Sequence, residues 1–145
     1  MGASAFLSKI EQEQIVKAIE SAELSTSGEI RVHIESLCKG DPVERAVFVF
    51  NKLKMFETKE RNGVLIYIAL KSHKFAIIGD SGINEKVDDN FWDEERELLL
   101  SHLKVGKIAD GLISVIEKAG NNLKKHFPYQ TDDTNEQSNE ISFGE

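Results

Sequence analysis

Apolar residues recur in two rhythms along the first part of the chain. Ile15, Ala18, Ile19 and Ala22 fall at i, i+3, i+4 and i+7, one face of a helix. Just before them, Ser8-Lys9-Ile10-Glu11 has the form of a capping box, in which Ser and Glu each satisfy an otherwise unpaired backbone N–H. The Ser25-Thr26-Ser27-Gly28 cluster ends this helix. The period then shortens to two. Ile30, Val32 and Ile34 alternate with Glu29, Arg31, His33 and Glu35, which predicts a strand with one buried and one polar face. Its polar face points to an edge position or to incomplete cover.

A second helix opens at Asp41-Pro42-Val43-Glu44, with Asp41 as cap and Pro42 at the first helical position. Val43, Ala46, Val47, Phe50 and Leu53 form its apolar stripe, and a polar loop follows from Glu57 to Asn62. Val64 to Leu70 is almost continuously apolar and β-rich, the pattern of a central strand buried on both faces. Lys71 to Lys74 is long enough for a hairpin turn but not for a crossover, so Phe75 to Ile78 is expected to run antiparallel to its predecessor. Gly79 to Asn90 reads as a loop with room for one helical turn. Phe91, Trp92, Leu98, Leu99 and Leu103 predict a third helix, stopped near Gly106. Ile108, Leu112, Val115, Ile116, Ala119 and Leu123 predict a fourth, bounded by Pro128. The order α-β-α-β-β-α-α specifies an α/β fold with a short mixed sheet layered by helices.

Length changes the picture little: 145 residues make one domain with enough core to fold without staples. Charge changes it more. Five acidic residues (Asp132, Asp133, Glu136, Glu140 and Glu145) and no Lys or Arg lie between Tyr129 and Glu145, against a net charge of −7 for the chain. Residues 1–128 are therefore expected to be a nearly neutral domain, and 129–145 a disordered acidic tail. A neutral body without a basic face argues against nucleic-acid binding. The longest apolar run is too short to span a membrane, and no signal-peptide or myristoylation pattern is found at MGASAF, so a cytoplasmic location is expected. The single cysteine, Cys38, reads as a small buried filler near a strand end.

Candidate chemistry gathers at one end of the expected sheet. With the first two strands parallel, Glu29 and Asn62 lie at the same end, and the antiparallel third strand returns there at Asp80. The following loop carries Asn84, Glu85, Asp88 and Asp89. Hard oxygen donors of this kind suit Ca²⁺ or Mg²⁺, with Asp80, Asp88, Asp89, Glu29 and Asn84 as the candidate ligands. Two plainer roles compete: Asp80-Ser81-Gly82 as turn chemistry, and Asp88 and Asp89 as helix-capping acids. The loop is not an EF-hand, because Phe91 stands where the closing Glu would fall. The four histidines form no H-E-x-x-H pair, and Gly79 and Gly82 make no nucleotide-binding loop.

Several segments together resemble the TPM domain family. They are Thr26 to Val32, Asp41 to Ala46, Arg61 to Ile66, Gly79 to Ile83, Trp92, and the closing stretch Leu123 to Pro128. They cover roughly Leu7 to Pro128. The resemblance implies an α/β/α sandwich of Rossmann-like appearance. It also implies a link, through plant and cyanobacterial members, to photosystem II repair, acid phosphatase activity and calcium binding. Many bacterial members are secreted or membrane-anchored, and the expected absence of signal and anchor departs from them. A metal-dependent phosphatase would use a cation to polarise phosphate, Arg61 or Lys59 to hold its oxygens, and Asp80 as nucleophile or base. No Cys-x5-Arg loop begins at Cys38, because residue 44 is Glu44. Three functions thus remain: cation binding at the acidic sheet end, a protein-interaction module without chemistry, and a metal-dependent acid phosphatase.

Overall fold

The computed structural model describes residues 6–130 and 136–144. Helix α1 (Lys9–Glu23) starts as its capping box requires, with the Ser8 hydroxyl accepting from Glu11 N–H at 3.1 Å and Glu11 Oε1 accepting from Ser8 N–H at 2.9 Å. Strand β1 (Glu29–Glu35) leads to α2 (Pro42–Lys52), capped by Asp41, then to β2 (Gly63–Ala69) and β3 (Lys74–Gly79). A single turn, α3 (Ser81–Asn84), precedes α4 (Asp93–Leu103) and α5 (Ile108–Lys124), and β4 (Ser142–Phe143) closes the order. The sheet runs β3-β2-β1-β4, with β1 parallel to both β2 and β4 and β3 antiparallel to β2.

Period-two alternation sends the two faces of the sheet to two cores. Ile30, Val32, Ile34, Val64, Ile66, Ile68 and Ile77 pack under α1, α4 and α5, whose Ile15, Ile19, Leu99, Leu112, Val115 and Ile116 are fully buried. Leu65, Tyr67, Ala69 and Ala76 face α2 through Ala46, Val49, Phe50 and Met55, with Cys38 buried at the margin. The result is a three-layer α/β/α sandwich around a mixed sheet.

Three expectations are corrected. First, β1 is not an edge strand: it lies between β2 and β4. Most of its polar face is buried because Glu29, His33 and Glu35 find hydrogen-bond partners. Glu35, 2% exposed, accepts from Arg45 Nε at 2.8 Å and Nη2 at 2.9 Å, from the Tyr67 hydroxyl, and from His33 Nε2 at 3.2 Å. Burial opposes the Glu35 charge, yet the hydrogen bonds from Arg45, Tyr67 and His33 hold its carboxyl down at about 2. Burial in turn pushes the His33 imidazole below its usual value and the Tyr67 hydroxyl above its own. Second, the stretch from Tyr129 is not simply a disordered tail. Residues 131–135 and 145, with Asp132, Asp133 and Glu145, lie outside the described residues, but 136–144 lie against β1. Gln137 is buried, Ser142 and Phe143 pair with His33 and Ile34, and Ser142 Oγ bonds His33 Nδ1 at 2.8 Å. Backbone groups and neutral side chains (Gln137 and Ser142) make most of these contacts, so an acidic composition does not prevent them. Third, the third predicted helix begins at Asp93, two residues after Phe91. Trp92 occupies the cap position, and Asp93, Glu94 and Glu95 supply the acidic first turn expected of Asp88 and Asp89.

Candidate functional site

The segments before β1, before β2 and after β3 converge at one end of the sheet. Glu29 N–H donates to Asn62 C=O at 3.3 Å, and Asn62 Nδ2 donates to Ser27 Oγ at 3.3 Å. The Ser27 hydroxyl donates to Glu60 Oε2 at 2.9 Å. Asp80 N–H donates to Gly63 C=O at 2.9 Å, and Gly82 N–H to Arg61 C=O at 2.8 Å. The last contact is backbone on backbone. A Cβ at Gly82 would stand 2.0 Å from Glu60 O and 2.6 Å from Arg61 O, so only glycine lets the two loops close. Arg61 itself takes a left-handed φ of 52°, a conformation a non-glycine residue holds only when its surroundings enforce it.

That constraint aims the Arg61 guanidinium at Asp80. Nε donates to Asp80 Oδ2 at 2.7 Å and Nη2 to Oδ1 at 2.9 Å, a bidentate pair. Oδ1 also accepts the Ser81 N–H at 2.7 Å, so Asp80 caps α3. The hydrogen bond to Asp80 raises the Arg61 pKa above its ordinary value. Asp80 is buried while half of the Arg61 side chain is exposed. Beside this pair opens a cleft of about 400 Å³, walled by Asp80, Ser81, Asn84, Arg61, Asn51 and the apolar edge of Val47.

The candidate ligands fall into three groups. Asp80 and Asn84 share the cleft, and the Asn84 amide donates to Gly79 C=O at 3.1 Å, which leaves its oxygen available. Glu29 is at the same sheet end but two strands away, roughly 10 Å along the hydrogen-bonding direction. Its two oxygens accept the backbone N–H groups of Glu136 at 2.6 Å and Gln137 at 3.1 Å. Asp88 and Asp89 are exposed in the turn before α4. Among the described residues, no group of three or more His, Cys, Asp or Glu side chains is close enough to hold an ion. Arg61, offered with Lys59 as a holder of phosphate oxygens, is instead the partner of Asp80. The signal available was the placement of Arg61 two residues before β2, next to the end of an antiparallel neighbour.

A central mixed sheet, helices on both faces and a loop-built polar cleft at one sheet end define the class. The TPM domain family model matches residues 3–122, and the chain belongs to this family. The chain is similar to the BA42 protein of the psychrophilic bacterium Bizionia argentinensis, at 49% identity over 94% of each chain with a TM-score of 0.89. It shares the fold of the N-terminal domain of cg2496 from Corynebacterium glutamicum, at 15% identity over 91% of this chain and 77% of that one, with a TM-score of 0.63. No curated protein matches it. Among the described residues, no helix is long and apolar enough to cross a membrane.

Proposed function

We propose that this TPM domain binds a divalent cation, Ca²⁺ or Mg²⁺, in the cleft at Asp80. The observation that carries the reading is the backbone closure of Gly82 on Arg61. It holds Asp80, Ser81 and Asn84, each with an oxygen-bearing side chain, in the lining of one cleft. These are hard oxygen donors, and an open wall leaves room for the waters that both ions retain. Asp88 and Asp89 add negative field from the adjacent turn, and Glu29 adds field from β1. Arg61 competes for the same carboxylate, so the site is weak and its affinity rises when the guanidinium is removed.

The test is a titration of isotopically labelled protein with each ion. Saturable amide shifts are expected across residues 79–89. Asp80→Asn should abolish them, and Asp88→Asn/Asp89→Asn should weaken them. Arg61→Asn, which tolerates the left-handed backbone, should tighten binding several-fold. No shift at millimolar ion would sink the reading and leave a protein-interaction module in its place.

A second reading has one observation in its favour: a half-exposed guanidinium stands beside a carboxylate in an open cleft, the pairing a phosphate ester and its cation would use. The matching family model bears the name TPM phosphatase. Cation-dependent hydrolysis of a phosphate monoester, lost in both Asp80→Asn and Arg61→Asn, would support it. Ion binding without turnover would exclude it.

A further inference from the structure

The larger core is open at the sheet end opposite Asp80, where β2 runs out and β3 begins. Ile68 pairs with Phe75 there, on the face that α4 and α5 cover. Between the strands and the two helices remains a cleft of about 220 Å³. Ile68, Leu70 and Phe75 line it from the sheet, Leu100 and Leu103 from α4, and Ile108 from α5. Leu100 is 42% exposed, so an apolar wall of the cleft is in contact with water.

The two turns that bound this cleft are basic. Leu70-Lys71-Ser72-His73 joins β2 to β3, and Lys104-Val105-Gly106-Lys107 joins α4 to α5. Neither turn contains an acidic residue, although the chain carries a net charge of −7. Lys74 is committed elsewhere, because its ammonium donates to the Cys38 and Gly40 carbonyls at 3.0 Å and 2.8 Å. The side chains of Lys71, His73, Lys104 and Lys107 make no hydrogen bond or ion pair among the described residues. His73 and Lys104 line the cleft itself, and no Asp or Glu does.

We propose that this cleft binds a single-chain fatty carboxylate, with its tail against Leu100 and Phe75 and its head group accepting from Lys104 and His73. Each part of the ligand answers one part of the site. The tail gains by taking methylenes out of water. The carboxylate gains charge-assisted hydrogen bonds from donors that have no partner of their own. The volume lies below the roughly 300–1,000 Å³ of drug-sized sites, so the cleft takes one short chain rather than a two-tailed lipid. Lys104 is exposed and screened by solvent, so chain length sets most of the affinity and the head group sets the preferred sign of charge. For a ten-carbon chain the Kd is on the order of 0.1–1 mM. The cleft lies the length of β3 from Asp80, roughly 20 Å, and is independent of the cation reading.

Decanoate added below its micelle concentration to isotopically labelled protein, with chelator present, tests the site. Saturable amide shifts should gather at residues 68–75 and 100–108 and leave 79–89 unmoved. Octanoate should bind about tenfold more weakly, as the loss of two methylenes requires. Decyltrimethylammonium, of equal length and opposite charge, should bind several-fold more weakly than decanoate. Lys104→Glu/Lys107→Glu alters only exposed positions and should reverse that preference. Leu100→Asn should weaken both ligands by about tenfold. Shifts that are absent, or scattered over the surface, overturn the proposal. So does affinity that ignores chain length, or a head-group preference that survives the charge reversal. Binding to phosphatidylglycerol vesicles without any response to decanoate would assign these residues to a bilayer surface and overturn it as well.

Discussion

Glu23 closes α1 with its carboxyl against the open flank of β1, where Oε2 accepts the Ile30 N–H at 3.0 Å. Burial, then the nearby Glu29 and Glu20 carboxylates, push its pKa up to about 8, although the Ile30 hydrogen bond works the other way. The folded value lies above the unfolded one of 4.5. The native state therefore holds the proton more tightly. The stabilising contribution is complete below 4.5 and is lost as pH rises through 8. Glu23→Gln keeps an acceptor for Ile30 and has no charge to bury. Urea unfolding should find it equal to the parent near pH 4 and more stable at pH 9, by on the order of 2 kcal/mol. Parallel pH profiles for the two proteins would remove Glu23 from the account. Nothing in the sequence marks this residue, because one Glu at a helix end looks like any other until the strand it faces is placed.

Helix starts and strand identities were legible because local rules governed them. Ser8 and Asp41 cap as their spacing predicts, and the apolar run of β2 is buried throughout. The hairpin length gave the antiparallel β3, and with it the correct juxtaposition of Asn62 and Asp80. β4 was not legible, since its strand pairing comes from backbone groups that side-chain composition does not report. Gly144 is the clearest case. Its N–H donates to Ile34 C=O at 2.9 Å, and a Cβ there would meet Glu35 Oε1 at 2.7 Å and His33 Nε2 at 3.1 Å. Glu35 cannot yield, being held by Arg45 and Tyr67. Gly144→Val should therefore lift β4 from the sheet. Amide exchange at residue 144 should lose its protection. Global stability should fall by only about 1 kcal/mol, because β4 is two residues long and its side chains are only partly buried against the larger core. Protection that survives would mean that the strand shifts register instead.

At the scale of the molecule, the two cores share β2. Val64, Ile66 and Ile68 belong to one and Leu65, Tyr67 and Ala69 to the other, so neither half can melt and leave the strand in place. A single cooperative transition follows. Trp92 fluorescence, reporting the larger core, and amide signals of Leu65 and Tyr67, reporting the smaller, should give one urea midpoint. Leu112→Ala in the larger core should lower both together, at a cost of about 2–5 kcal/mol. Two separated midpoints would show that α2 forms an independent layer. The same sheet carries the candidate site at one end and the apolar cleft at the other, so the site's rigidity depends on both cores.

The packing of α1 on α5 also has a consequence for synthesis. The apolar stripe of Ile15, Ile19 and Ala22 is covered by a helix that ends at Lys124. At ordinary elongation rates the ribosome needs about 5–20 s to add the intervening hundred or so residues. For that interval the apolar stripe of α1 has no cover, and the isoleucines of β1 are equally bare. The nascent chain is thus a client for whatever shields apolar segments at the tunnel exit. It gains resistance to protease in one late step rather than gradually along its length.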